Sequence, residues 1–364
     1  MDSIFARMQR REKDGTKRRL RYDLGLIDLA SNDYLGLARS STLSAFCQKA
    51  LNRRREDDLH GFGSTGSRLM TGNHPEMERV EEFIAKSQGF ESALLFSSGY
   101  MANVGALSSL PDEGETILYD AECHASLLDG IRLSKARAYP FRHNDLCHLK
   151  KRLSATACRK ATYIVTESVF STDGSTAPLK ELDNLAASFG AGMIVDDAHG
   201  IGLFYEEGKN SLATLKTVVA ATAGCGKALG VMGGVVLTTK RIREFLLNFG
   251  KTAIYSTALP LASLYAIEGA FSQLPFLERE REKLFSLIRL FQTGSRNLSM
   301  TAIQPVNVRG NEAAVKLQEQ FKQSGFLVKA LLSPTVRKNR ECLRITLHAF
   351  NTEEEVKRAL ELLS

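Results

Sequence analysis

No stretch of the 364-residue chain strings together the roughly 18–20 apolar residues that cross a bilayer. The opening Met1-Asp2-Ser3-Ile4-Phe5 also lacks the apolar core of a secretory signal. A membrane partner is therefore not expected. Cysteine is sparse and scattered, at Cys47, Cys123, Cys147, Cys158, Cys225 and Cys342, with no CxxC pair. That spacing excludes a zinc site and a disulfide framework and points to a reducing cytoplasm. Internal repeats and low-complexity segments are absent. So are a Walker-type phosphate loop, a helix-turn-helix signature, zinc-finger spacing and aromatic RNA-binding motifs. Nucleic acid is not expected as a partner, although the net charge is +7 and residues 1–21 carry eight Lys or Arg against three acids. Such an arm suits an anionic small molecule, for example a coenzyme A thioester. A solvated helix face is the plainer reading of the same charges.

What is present is an ordinary globular composition, 43% hydrophobic and 24% charged, with length for a large domain and a smaller one. From about residue 75 to 240 short apolar runs alternate with helical spacing. Met77, Val80, Phe83 and Ile84 share one helix face, and ALLF at 93–96 reads as a buried strand. TILY at 116–119, TYIVT at 162–166, MIV at 193–195 and GVVL at 234–237 repeat the strand pattern. The expected fold is α/β, a mostly parallel sheet covered by helices, followed by a smaller α+β C-terminal domain. The expected divisions are an N-terminal segment over 1–45, a large domain over 46–245 and a small domain over 246–364. A long charged helical stretch is expected over 261–298. In such sheets ligands gather beyond the carboxyl ends of the strands, where SSGYMAN (97–103), DAECHAS (120–126) and VDDAHG (195–200) stand.

The segment AGCGKALG at 223–230 gives Lys227 small neighbours and room for a bulky group on its amine. Asp196 ends an apolar run about 30 residues earlier. A lysine amine and a facing acid are what pyridoxal phosphate needs, the first for a Schiff base and the second for the pyridinium nitrogen. A helix start at Gly99 favours a phosphate, and an imidazole at His124 could stack on a flat ring. Asp-Asp at 196–197 could also take Mg²⁺, but without a phosphate loop no metal is expected. Arg344, within CLRITL at 342–347, has the planar fork that suits a substrate carboxylate. Each segment by itself has a plainer reading: a turn, a capped helix, a locally bonded histidine, a surface salt bridge.

Together the segments resemble the α-oxoamine synthases, pyridoxal-phosphate transferases of fold type I. The likeness runs from about residue 27 to 363, through SNDYLGL (31–37), the glycine-rich 63–72, LFSSG (95–99), TESVFSTDG (166–174), VDDAHG and IYST (254–257). It implies that Lys227 carries the cofactor, Asp196 pairs with its ring nitrogen, His199 bonds its phenolic oxygen and His124 stacks on its face. Gly99 and Tyr100 would meet the phosphate through backbone N–H groups, and Ser171 would also touch the cofactor. Asn32, Thr335 and Arg344 match substrate positions, and Arg19 matches an arginine near the acyl donor. Ser256 and Thr257 would reach the phosphate of a neighbouring subunit, which implies a homodimer with shared active sites. The implied substrates are an amino acid and an acyl thioester, carried on coenzyme A or an acyl carrier protein. IYST, AIQP (302–305) and SPTV (333–336) favour the member that joins L-alanine to a pimeloyl thioester over the glycine-using members. Two positions depart from the pattern. Gly224 stands where relatives place a phosphate-holding Ser or Thr, with Thr222 as the alternative hydroxyl, and Arg337 stands where they place Pro.

Overall fold

The computed structural model describes residues 2–18, 20, 23, 25–54, 63–156, 160–206, 209–295 and 299–363. The first part of the chain forms α1 (Asp2–Lys13), β1 (Ile27–Asp28), α2 (Ser41–Arg54), α3 (Pro75–Gln88), β2 (Ser92–Phe96), α4 (Gly99–Ser109) and β3 (Thr116–Asp120). Next come α5 (Ala125–Leu133), β4 (Arg137–Phe141), α6 (Leu146–Thr156), β5 (Thr162–Glu167), α7 (Leu179–Ser188) and β6 (Gly192–Asp196). These are followed by β7 (Tyr205–Glu206), β8 (Lys209–Asn210), β9 (Val218–Gly224), β10 (Gly234–Thr238), α8 (Lys240–Phe249), α9 (Lys251–Ile254) and α10 (Leu261–Gln273). The last elements are α11 (Glu278–Ser295), β11 (Ile303–Asn307), α12 (Asn311–Gln323), β12 (Phe326–Leu327), β13 (Lys329–Leu331), β14 (Cys342–Thr346) and α13 (Glu353–Glu361).

Two compact units result. The larger comprises Gly36–Phe170 and Thr176–Glu278. Its seven-stranded sheet runs in the order β2-β10-β9-β6-β5-β3-β4. Strands β9, β6, β5, β3 and β4 are parallel, and β10 lies antiparallel between β2 and β9. The mostly parallel sheet read from the sequence is therefore present. Its central strands are unbroken apolar runs because both faces are covered: Leu94, Ile164, Met193, Ile194, Val195, Val235, Val236 and Leu237 are all fully buried. The helix expected from His74 starts at Pro75, with His74 as its cap: Nδ1 accepts the Glu76 N–H at 3.1 Å. The long helix expected over 261–298 is two helices. Pro275 lies in the 3₁₀ turn Leu274–Phe276 between α10 and α11, where its missing N–H and its ring prevent a continuous ladder.

The smaller unit comprises Met1–Leu35, Ser171–Ser175 and Arg279–Ser364. A three-stranded antiparallel sheet, β11-β14-β13, carries it, and β1 pairs in parallel with β12. The hydroxyls of Ser299 and Thr301 both donate to the Gly174 carbonyl, at 3.2 and 3.1 Å, which fixes the short 171–175 piece here. No described helix is long and apolar enough to cross a membrane.

His348 is fully buried in this unit, its ring nitrogens 3.0 Å from Asn351 Oδ1 and 3.0 Å from the Ser31 carbonyl. Burial lowers its pKa from the ordinary 6.5, against the opposing pull of Asp28. The folded protein thus resists a proton that the unfolded chain accepts, so stability is full above pH 6.5 and is lost below it. His348→Gln is expected to flatten the fall in melting temperature between about pH 7 and 5.5, while lowering stability at pH 7 by about 1–3 kcal/mol through lost buried hydrogen bonds. An unchanged slope in the variant would assign the acid sensitivity to other groups.

Candidate active site

The carboxyl ends of the parallel strands converge on one region of the larger unit. Strand β2 runs into Ser98, which caps α4: its hydroxyl oxygen accepts the Met101 N–H at 3.2 Å. The N–H groups of Gly99 and Tyr100, in the first turn, have no carbonyl within the helix to pair with. These donors and the helix dipole make a place that could hold a phosphate. The end of β9 comes up beside it. A Cβ added to Gly99 would lie 2.6 Å from Gly224 Cα, so Gly99 admits no side chain while the two backbones approach this closely. The reverse is not true. A Cβ at Gly224 would rest at 3.5 Å from Gly99 Cα, an ordinary contact.

That asymmetry bears on the missing hydroxyl. Thr222, the alternative donor, is fully buried and gives its hydroxyl hydrogen to Asn103 Oδ1. It is committed inside the network and does not replace a residue at 224. Gly224→Thr is expected to fold normally, since a β-branched residue suits a strand end, and to slow cofactor loss on dialysis by about 2–10-fold, the worth of one hydrogen bond. Gly99→Ala should instead destabilise the protein. Equal cofactor loss from wild type and Gly224→Thr would show that no anion is held at this point.

Asp196, at the end of β6, is buried and held by two neutral donors. Asn103 Nδ2 donates to Oδ2 at 2.6 Å and the Ala198 N–H to Oδ1 at 2.9 Å. Asn103 Nδ2 also reaches Ser126 Oγ at 2.9 Å, and that hydroxyl lies 2.8 Å from His124 Nδ1. One buried amide thus joins three strand ends: the Thr222 hydroxyl, the Asp196 carboxylate and, through Ser126, the His124 ring. His124 Nδ1 also accepts the Ser126 N–H at 3.3 Å as the cap of α5, which leaves the ring's proton on Nε2. Asn103 and Ser126 carried no assignment from the sequence. A buried Asn on a helix that starts at a strand end was their only signal.

A second carboxylate stands beside the first. Glu167, at the end of β5, is buried and accepts the His124 N–H at 2.6 Å. Burial pushes its pKa well up, and the neighbouring Asp196 charge adds to this. Burial also pushes Asp197 up, to about 6, while Ser168 and Asn210 hold its charged form. Like charges so close in a buried site do not all ionise. The Lys227 ammonium lowers the pKa of both Glu167 and Asp197. His124, open to solvent on one side, is held below its usual value by partial desolvation and by Lys227, against the pull of Asp196.

Lys227 lies in a closed turn after β9: Cys225 N–H donates to the Gly233 carbonyl, and Gly230 N–H to the Lys227 carbonyl at 2.9 Å. Gly230, at φ +67°, packs on the Ala38 backbone and cannot carry a side chain there. His199 is buried in the turn after Asp196. Tyr100 donates its hydroxyl to Asp129 and meets the His124 ring edge-on at 6.3 Å. Ser256 and Thr257 line a cavity of about 10 Å³ with Ser97 and Arg68, and Thr257 bridges to Ser67.

The expected substrate residues belong to the smaller unit. Arg344 is buried, with Nε donating to the Ser171 carbonyl at 2.8 Å, Nη1 to Thr346 Oγ1 at 2.9 Å and Nη2 to Asn32 Oδ1 at 3.0 Å. The Tyr34 hydroxyl also hydrogen-bonds the guanidinium, which has five donors in all. Ser171 therefore contributes its backbone to Arg344. Thr335 is exposed, 3.4 Å from Arg18 Nη2. Arg19 lies outside the described residues.

A helix-flanked, mostly parallel sheet with a buried aspartate, a helix start and a lysine turn beyond its strand ends fits a pyridoxal-phosphate enzyme of fold type I. The sequence pattern of the family described as aminotransferase class I and II matches residues 25–363. An 8-amino-7-oxononanoate synthase of Hydrogenovibrio crunogenus is 38% identical over 354 residues, covering 94% of this chain and 87% of that protein. Among solved structures, a serine palmitoyltransferase with a pyridoxal-phosphate internal aldimine superposes with a TM-score of 0.89 at 26% identity, covering 99% of this chain and 96% of the other. The 8-amino-7-oxononanoate synthase of Francisella tularensis gives 0.79 at 29% identity, over 94% and 97%. The chain belongs to the aminotransferase class I and II family and, within it, to the α-oxoamine synthases: it is an acyl-transferring enzyme whose cofactor is pyridoxal phosphate. The residues present fit that group, since among the described residues Asp196 has only neutral partners and its buried charge calls for a cationic one.

Proposed function

We propose that the protein is an 8-amino-7-oxononanoate synthase, joining L-alanine to a pimeloyl thioester with loss of CO₂ and of the thiol, as a step of biotin synthesis. The observation that carries this is the buried Asp196 carboxylate, fixed by Asn103 and without an ion pair among the described residues, in a chain 38% identical to an enzyme of that name. Pyridoxal phosphate supplies, when bound, an aldehyde for the amino acid and a ring that stores the charge left by the departing α-proton. Lys227 would hold it through the side-chain amine and, once released, take the α-proton. Asp196 would keep a proton on the facing ring nitrogen. His199 would bond the phenolic oxygen, Gly99 and Tyr100 the phosphate through their N–H groups, and Ser171 the cofactor. Ser256 and Thr257 would serve the neighbouring subunit of a homodimer.

His124 is suited to hold a thioester carbonyl: with Nδ1 occupied by Ser126, the Nε2–H can donate to oxygen as charge develops there. Arg344 would take the alanine carboxylate, with Asn32 setting the guanidinium plane. Thr335 and Arg19 would face the acyl donor.

A spectral titration of the purified protein with alanine, glycine and serine, followed by candidate thioesters, tests the reading. Alanine should give the largest absorbance change and CoA-linked or carrier-linked pimeloyl groups should be turned over. The high structural likeness to a serine palmitoyltransferase makes serine the informative competitor. A response to serine or glycine alone would reassign the substrate within the family.

A further inference from the structure

The hydrogen bonds that lead from Asn103 to His124 all run one way. An ionised carboxylate only accepts, so the nitrogen of the Asn103 amide faces Asp196 and the oxygen faces away. The Thr222 hydroxyl, donating to Oδ1, agrees with that orientation. Both hydrogens of Nδ2 are then committed, one to Asp196 Oδ2 at 2.6 Å and one to Ser126 Oγ at 2.9 Å. An amide nitrogen accepts nothing, so the Ser126 hydroxyl keeps its own hydrogen for its other partner, His124 Nδ1, at 2.8 Å. The Ser126 N–H reaches the same ring nitrogen at 3.3 Å. Ser126 and Asn103 are only 1% and 3% exposed, which keeps water from competing for these bonds. Helices α4 and α5 approach this closely because of Gly130: a Cβ there would lie 2.8 Å from Leu107 Cβ and 3.1 Å from the Asn103 carbonyl oxygen.

A proton added to His124 would break this order. A hydrogen on Nδ1 would meet a serine oxygen that already takes one from Asn103. The Ser126 hydroxyl and N–H would both lose their acceptor, and buried donors left unpaired are costly. Charges around the ring are mixed. Asp196 of β6 draws a proton to it and Lys227 repels one. Glu167 of β5 takes the His124 N–H, and Asp120, at the end of β3, is paired with His143. Tyr100 of α4, its hydroxyl held by Asp129, presents a ring edge. Desolvation outweighs the pull of Asp196, and the imidazole is held below its usual 6.5.

We propose that Asn103 and Ser126 are positioning residues for acyl transfer, which together hold His124 as a neutral ring with its one hydrogen on Nε2. This rests on the acyl-transfer reading above, which gives that hydrogen its acceptor, the thioester carbonyl. Asn103 acts through the serine and touches neither substrate nor reacting atoms. One side chain thereby sets both the Asp196 carboxylate and the His124 ring.

Two-bond ¹H–¹⁵N correlation spectra of the cofactor-loaded protein, labelled with ¹⁵N-histidine, report the tautomer, and loss of a signal in His124→Gln identifies the residue. The expected ring carries hydrogen on Nε2 and none on Nδ1, and stays neutral below pH 6.5. A wild-type ring protonated on Nδ1 would overturn the proposal. Ser126→Ala removes one hydroxyl from a helix that accepts alanine readily. It should raise the His124 pKa by about 0.3–1 unit and lower kcat about 2–10-fold, each the worth of one neutral hydrogen bond. The KM for the amino acid should stay unchanged. Because the serine acts through the ring, its effect on kcat should vanish in a His124→Ala background; an equal loss there would overturn the assignment. Asn103→Ala should shift the His124 titration in the same direction, and an unmoved titration would remove Asn103 from the role. The spectra need no acyl donor, so the expected tautomer in a protein inactive towards pimeloyl thioesters would sink the acyl-transfer reading and not the hydrogen-bond assignment.

Discussion

Replacing Lys227 with alanine is expected to abolish the yellow absorbance of the bound cofactor and to lower kcat by about 10²–10⁴-fold or more, the loss that follows removal of a positioned base. The argument is structural as well as chemical. The turn that presents Lys227 is closed by backbone bonds from Cys225 to Gly233 and from Gly230 to the Lys227 carbonyl, none of which uses the lysine side chain. Truncation should therefore leave the turn in place and remove only the amine. Loss of colour with an unchanged far-ultraviolet circular dichroism spectrum is the expected pair of observations. Borohydride reduction followed by mass spectrometry gives the independent check, an adduct confined to the peptide 223–230 in the wild type. An absorbance spectrum that survives Lys227→Ala would remove the lysine from its assigned role.

Asp196→Asn should lower kcat by roughly 10²–10³-fold, the scale seen when one preorganised electrostatic group is removed. It should do so with only a modest change in stability, because two opposing effects nearly cancel. The Asn side chain keeps the shape but has one acceptor oxygen, so it can take the Ala198 N–H or the Asn103 amide, and its NH2 then faces the other donor. A buried carboxylate held only by neutral donors is costly to fold around, which offsets the one acceptor lost, so the melting temperature should change little in either direction. The diagnostic readout is the pH titration of the cofactor's absorbance, which should move once the facing charge is gone. A kcat within about threefold of wild type would show that the ring nitrogen is served by another group.

Much of this was legible along the chain because its cause is local. Apolar runs of four or five residues between helical spacings mark strands buried on both faces, and Ala93, Leu94, Ile164 and Val195 are where that pattern puts them. The helix start after LFSSG and the small-residue turn around Lys227 follow from the conformations that glycine and serine favour. Strand β9 escaped notice because Val218–Gly224 is mostly small residues and threonine, without a long apolar run. The single helix expected over 261–298 failed at Pro275, where one missing N–H outweighs the flanking periodicity.

The site's inner network had no such trace. Asn103 meets Asp196 across 93 positions and Thr222 across 119, and Arg344 meets the Ser171 carbonyl across 173. A polar side chain carries the same letter whether it is solvated or committed to a distant partner, so only folding reveals which. The amino-acid order by itself determined the alternation of strands and helices, the carboxyl-end placement of the reactive groups and the room around one lysine. Tertiary structure alone decided that one asparagine joins the aspartate to the histidine, and that position 224 has space for a side chain while 99 has none. The first group depends on near-neighbour sterics and hydrophobic periodicity; the second depends on which surfaces pack after the chain closes.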